Sequence, residues 1–266
     1  MTHLFVGWDV GAWNCDGGKS QDALSVLTGT SMGDLHLVAA PWRANLRAAL
    51  VTRPCPEAIL SVVEGLGRRE DAEVVVAADT PLGWPSAFTS LLAGSMTVEQ
   101  VTETVIENPY TFRFAEQHLV ALGLFPKGRT PLSAVRDMIG SQSSKGLYVL
   151  RKGQMRQESP AVWESTGYTV IETYPTPVRT SQALQDHFDR LRSTPTFARR
   201  ARGKNVTSDL EDSLWCALVA ALWKLDRPLL SPPPADSRIA NEGWIWIPKD
   251  CTCPVDDPPE NGEVFS

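Results

Sequence analysis

Asp9, Asp79, Glu172 and Asp212 share one setting: each carboxylate stands at the edge of an apolar run. Asp9 closes Leu4-Phe-Val-Gly-Trp-Asp9 and is followed by Val10 and Gly11. Asp79 closes Val74-Val-Val-Ala-Ala-Asp79 and runs into Thr80-Pro81-Leu82-Gly83, a turn that would fix it rigidly. Glu172 ends Val170-Ile-Glu172, and Asp212 belongs to Asp209-Leu-Glu-Asp212 at the opening of a helix. Carboxylates gathered at one sheet edge suit hard divalent cations such as Mg²⁺ or Mn²⁺, which take oxygen ligands and keep several waters. Two such ions, roughly 3.5–4 Å apart, stabilise both the attacking and the leaving oxygen of a phosphodiester displacement. Asp9, Asp79 and Asp212 are the expected metal ligands, with Asp9 central. Glu172 completes the set or orients the water. Asp209 shares a helix face with Asp212, and Asp212 is preferred because the buried face follows it directly. A structural role competes at each position, since an Asp at a strand end caps loops and an acid in a first helical turn answers the helix dipole.

The elements that must hold these groups follow from periodicity. Residues 4–9 read as a first strand, Ala23–Thr28 and Leu35–Ala40 as a hairpin. Pro56–Arg69 has apolar residues at helical spacing, with Pro56 suited to its first turn. Glu73–Ala78, with three valines, reads as a strand buried on both faces. A strand–helix–strand crossover would set it parallel to the first strand and bring Asp9 and Asp79 to the same sheet edge. Residues 86–165 change character: Ser90–Ile106, Arg113–Leu124 and Pro131–Leu150 predict helices of an insertion or lid. Gly167–Thr173 returns to strand. Residues 182–204 read as helical, then polar and basic. Ser208–Leu225 is the clearest helix, capped by Ser208, its buried face carried by Leu214, Ala217, Leu218, Ala221, Leu222 and Leu225. Gly243–Pro248 reads as a short strand. One domain over 1–248 and a disordered acidic tail over 249–266 are expected.

The chain has 266 residues, 42% hydrophobic and 21% charged, with a net charge of -6. That balance fits a soluble globular protein and supplies no global basic field for nucleic acid. No apolar run approaches a membrane span. No export signal is visible, and five scattered cysteines suit a reducing compartment, so a cytoplasmic location is expected. Trp163, Trp215 and Trp223 are expected in the core, and Trp8 and Trp84 beside the site.

At Gly7-Trp-Asp-Val-Gly11, Asp79-Thr-Pro-Leu-Gly83, Arg113-Phe-Ala-Glu116, Ile171-Glu-Thr-Tyr-Pro175, Asp209–Asp212 with Cys216–Ala221, and Glu242–Pro248, the sequence resembles the domain of unknown function 429 family of nucleases with a ribonuclease H-like fold. The resemblance spans nearly the whole chain. It implies an α/β fold with a mixed sheet of five main strands, the second antiparallel to the rest, flanked by helices. It also implies metal-dependent phosphodiester cleavage in nucleic acid. Carried over, Asp9, Asp79, Glu172 and Asp212 fall on the acidic positions, and Arg113 and Glu116 on a second polar pair. Arg113 would clamp a phosphate, or pair with Glu116 to pin the lid. Arg200, Arg202 and Lys204 lie just before the acidic helix, where they would hold substrate phosphates or form an exposed loop. None of the four histidines sits in a matching motif; His118, two residues past Glu116, would approach from the lid. A phosphotransferase of the related sugar-kinase and actin-like fold is the alternative, because Asp9-Val-Gly11 also suits a turn facing ATP phosphates. A catalytically silent binding protein is a third.

Overall fold

The structure, a computed structural model, describes residues 2–15, 21–63, 66, 72–199 and 204–254. In chain order the elements are β1 (Thr2–Asp9), β2 (Asp22–Thr28), β3 (His36–Leu37), β4 (Trp42–Ala44), α1 (Arg47–Thr52), α2 (Glu57–Ser61) and β5 (Ala72–Asp79). Then come α3 (Ser86–Leu92), α4 (Phe114–Ala121), α5 (Gly140–Lys152), β6 (Arg156–Ser159), β7 (Val162–Ser165) and β8 (Tyr168–Glu172). The chain continues through α6 (Pro175–Val178), α7 (Gln182–Arg192), α8 (Pro195–Ala198), α9 (Lys204–Leu225) and α10 (Ile239–Glu242). The strands form one mixed sheet of eight in the order β3-β2-β1-β5-β8-β7-β6, with β4 also paired to β2. β1, β5 and β8 are parallel, and β2 is antiparallel to β1.

The expected five-strand count is corrected to eight. A hairpin, β6–β7, extends the sheet antiparallel beyond β8. Its first strand is polar and mostly exposed, so it carries no apolar alternation to betray it. Two further differences have local causes. Helix α3 stops at Leu92. There Gly94 takes φ +79°, and the Ser95 N–H closes on the Ser90 carbonyl at 2.9 Å, a left-handed helix end. The expected helix over 131–150 begins only at Gly140. The Ser133 hydroxyl accepts from the N–H groups of Val135 at 3.1 Å and Arg136 at 3.2 Å. Such local side-chain bonding holds a turn in place of the helix. Helix α9 starts four residues before Ser208, the expected cap. Gly243–Pro248 makes isolated bridges to Glu172 and Leu230 rather than a strand.

Strand alternation sorts the core into two layers. Phe5, Val75, Ala77 and Ile171 face α7 and α9. Leu4, Val6, Trp8, Val74, Val76, Ala78 and Val170 face α1, α2 and α5. α9 crosses β1, β2 and β5, and from Leu210 on its inner face is sealed. It lies so close to β1 that a Cβ on Gly7 would sit 1.8 Å from the Ser213 carbonyl oxygen. Trp163, Trp215 and Trp223 are buried as expected. Residues 249–254 correct part of the expected tail: Asp250 accepts from Ser181 Oγ at 2.7 Å and from Ala183 N at 2.9 Å. Residues 255–266, Arg200 and Arg202 lie outside the described residues, as does the side chain of Lys204. Among the described residues no helix is long and apolar enough to cross a membrane.

Candidate active site

β1 and β5 run parallel in register, and their last paired residues are Asp9 and Asp79. Alternation turns both carboxylates to the face covered by α9, which supplies Asp209 and Asp212. Burial pushes the Asp9 carboxyl well above its ordinary range, and the charges of Asp79, Asp212 and Asp209 push it further. Asp79 is raised by burial first and then by Asp212, with Arg179 opposing. Asp212 and Asp209 are also raised, chiefly by burial, against the pull of Arg179 and Arg43 respectively.

Each neighbouring carboxylate has its own cation. Asp209 accepts from Arg43 Nε at 2.7 Å, and Asp212 accepts from Arg179 Nε at 3.2 Å. Asp22, fully buried, accepts from Lys145 Nζ at 2.8 Å, Trp8 Nε1 at 3.0 Å, and the backbone N–H groups of Gly11 at 2.9 Å and Leu46 at 2.8 Å. Asp9 and Asp79 differ: among the described residues, no donor reaches either carboxylate. Beside them the Thr80 hydroxyl is buried with no hydrogen-bond partner among the described residues.

Glu172 is placed otherwise. It is paired with Ala78, one residue short of Asp79. There it accepts from Arg113 Nη1 at 2.9 Å and from the Leu82 N–H at 2.8 Å. Arg113, 2% exposed, also donates from Nε to Glu116 at 2.8 Å and from Nη1 to the Glu242 carbonyl at 2.9 Å. Of its two expected roles, the structure gives Arg113 the pairing with Glu116. Burial raises the Glu172 carboxyl and Arg113 opposes it. Glu242 accepts from the N–H groups of Ser86 at 2.8 Å and Phe114 at 2.7 Å, which ties both helix starts, α3 and α4, to this network. A Cβ on Gly83 would meet the Glu242 carbonyl at 2.2 Å, so only glycine lets the turn after Asp79 dock there.

A cavity of about 290 Å³ opens at this edge. Asp9, Asp79, Asp209, Thr80 and Gln21 form its polar wall, and Pro81, Pro131, Leu132, Ile139, Tyr174 and Ile245 its apolar wall. Glu172, Arg113 and Glu116 line its floor. Burial, with the Asp79 charge behind it, pushes the Tyr174 phenol up to about 12. Trp8 and Trp84, expected beside the site, do not line it: Trp8 is buried under Asp22, and Trp84 stacks on Phe88 with ring centroids 5.6 Å apart. His118 packs against Trp244 instead, at 5.1 Å.

Among the described residues no three His, Cys, Asp or Glu side chains stand close enough to hold a metal ion by themselves. Asp212, the expected third ligand, is turned to Arg179. The donor set that does converge, two unpaired carboxylates and a hydroxyl, fits a hard cation that takes its remaining oxygens from water and substrate. The ion pairs Arg179–Asp212, Arg43–Asp209 and Lys145–Asp22 escaped sequence reasoning because their members lie 33 to 166 residues apart, beyond any local pattern. No family model matches this chain, and no curated protein or solved structure is detectably similar to it.

Proposed function

We propose that this protein is a Mg²⁺- or Mn²⁺-dependent nuclease of ribonuclease H-like type that hydrolyses a phosphodiester at Asp9 and Asp79. One observation carries this: among the described residues, two in-register carboxylates face a cavity with no hydrogen-bonded cation of their own, while the carboxylates around them each accept from one. Mutual repulsion and burial make that pair costly to ionise. A bound divalent cation would relieve the cost, and it supplies Lewis-acid polarisation of a phosphoryl oxygen. Asp9 and Asp79 would hold it. The Thr80 hydroxyl, buried without a partner at the cavity wall, would meet a substrate oxygen. The apolar wall excludes water from one side of the reacting group. The parallel β1, β5 and β8 with β2 antiparallel agree with the fold that the domain of unknown function 429 resemblance implies.

The cavity narrows the substrate. Its volume of about 290 Å³ lies at the small end of the range for ligand pockets. It suits one nucleotide unit from a strand end or a splayed strand, with its base or sugar against Tyr174, Leu132 and Ile139.

The test is cleavage of labelled single-stranded, duplex, hybrid and branched nucleic acids with Mn²⁺ or with EDTA, wild type beside Asp9→Asn and Asp79→Asn. Cleavage that needs the metal and disappears in both variants is the expected result. Folded protein that cleaves none of these would sink the nuclease assignment. ATP-dependent phosphorylation of a small hydroxyl compound would then replace it with the phosphotransferase.

A further inference from the structure

Four cations answer the carboxylates around this sheet edge, and their exposure sets one apart. The side chains of Lys145, Arg113 and Arg43 are 0%, 2% and 13% exposed, whereas that of Arg179 is 47% exposed. The backbone of Arg179 is fixed. Pro175 and Pro177 set α6, and the Arg179 N–H donates to the Pro175 carbonyl at 2.9 Å. Its head is fixed far less. Nε and Nη2 both donate to the same atom, Asp212 Oδ1, so a two-pronged group meets a single oxygen. Among the described residues that oxygen is the sole hydrogen-bond partner of the guanidinium. The guanidinium also stands near enough to Asp79 to oppose the rise in that carboxyl's pKa.

We propose that Arg179 is the phosphate clamp of this site, parked on Asp212 until a divalent cation at Asp9 and Asp79 displaces it. This rests on the metal-dependent function proposed above. A cation between the two strand ends repels the guanidinium and attracts the Asp212 carboxylate. One carboxylate cannot serve both at full strength. A pair whose cation is half exposed breaks at less cost than an enclosed one, and the half-exposed head can swing without disturbing the core. Released, its planar fork matches two oxygens of a phosphate better than it matches one carboxylate oxygen. Cation binding and clamp release are then a single exchange, and substrate follows metal. Asp212 would join the cation only in that second state, in keeping with the lack of a three-acid ligand set among the described residues.

The test uses full-length protein and Arg179→Met, which keeps the stem and drops the charge. Calorimetry measures Mn²⁺ binding to the metal-free protein, then binding of adenosine 5′-monophosphate with Mn²⁺ present. The expected changes have opposite sign. Mn²⁺ affinity rises about three- to tenfold because a competitor for Asp212 is gone. Mononucleotide affinity falls about tenfold or more because a charge-assisted fork is lost. Arg179→Lys regains part of the second and little of the first. An arginine that only braces α6 against α9 would lower both affinities or neither. Unchanged mononucleotide affinity overturns the clamp, and unchanged or lowered Mn²⁺ affinity overturns the parking on Asp212. Absence of Mn²⁺ uptake by wild type and variant alike overturns the metal-dependent function together with it.

Discussion

Asp9 and Asp79 are held at a cost to stability, and that cost has a pH signature. Their carboxyl pKa values are raised in the folded protein, so the native state keeps protons that the unfolded chain has released. Stability from this pair is therefore greatest in acid and is lost as pH rises from about 4, the unfolded carboxylate value, through the raised native ones. Asp9→Asn and Asp79→Asn should each raise the metal-free Tm at pH 8, by about 2–4 °C for each kcal/mol of repulsion removed. The gain should shrink toward pH 4, where the wild-type carboxyls are protonated, and calorimetric scans across that range check it. Mn²⁺ should stabilise wild type and not the variants. Glu172 behaves differently, since it is the partner of a fully enclosed arginine. Glu172→Gln leaves Arg113 under-neutralised and should cost about 3–5 kcal/mol by urea denaturation. Full stability with lost cleavage would instead make Glu172 a member of the reacting set.

At the scale of elements, close approach decides the geometry. Helix α9 can deliver Asp209 and Asp212 to the strand ends only because Gly7 leaves room for the Ser213 carbonyl. Gly7→Ala drives a methyl group into helix backbone that has no slack. It should cost about 3 kcal/mol or more, read as a lowered urea midpoint. α5 is tied to the chain after β1 through Lys145, which donates to Asp22 and to the Ala12 carbonyl at 3.1 Å. Lys145→Met strands the Asp22 charge in a dry core. Its expected cost is about 3–5 kcal/mol, with the double variant Asp22→Asn, Lys145→Met recovering part of it. Hydrogen exchange at Gly11, whose N–H donates to Asp22, should quicken in the single variant.

For the whole molecule, charge and cavity size point the same way. A net charge of -6 gives no long-range pull on a polyanion, and under the proposed function a cavity of about 290 Å³ would take one nucleotide unit. Few phosphates are then neutralised on binding. A plot of log kcat/KM against log salt should be shallow, with a slope of roughly -1 on a single-stranded substrate. A steep slope would point to an extended phosphate track and a different substrate. Single-stranded ends should be cut well ahead of closed duplex, which a comparison of a linear and a hairpin-closed oligonucleotide measures.

Strand and helix identities where apolar periodicity is strong, the parallel partnership of the first and fourth expected strands, and the shared edge for Asp9 and Asp79 were all legible in the sequence. Local physics fixes them: valine-rich runs bury on both faces, and a crossover helix makes their neighbours parallel. The hairpin β6–β7 was not legible, because its first strand is polar and its place in the sheet depends on β8. Nor was the division among the acids. Glu172 matches Asp9 and Asp79 in sequence setting, yet it is neutralised by the enclosed Arg113. The sequence by itself determined that carboxylates would collect at the C-terminal edge of a parallel core. Only the tertiary structure decided which of them are left unpaired, because Arg43, Arg113, Lys145 and Arg179 reach their partners through space rather than along the chain.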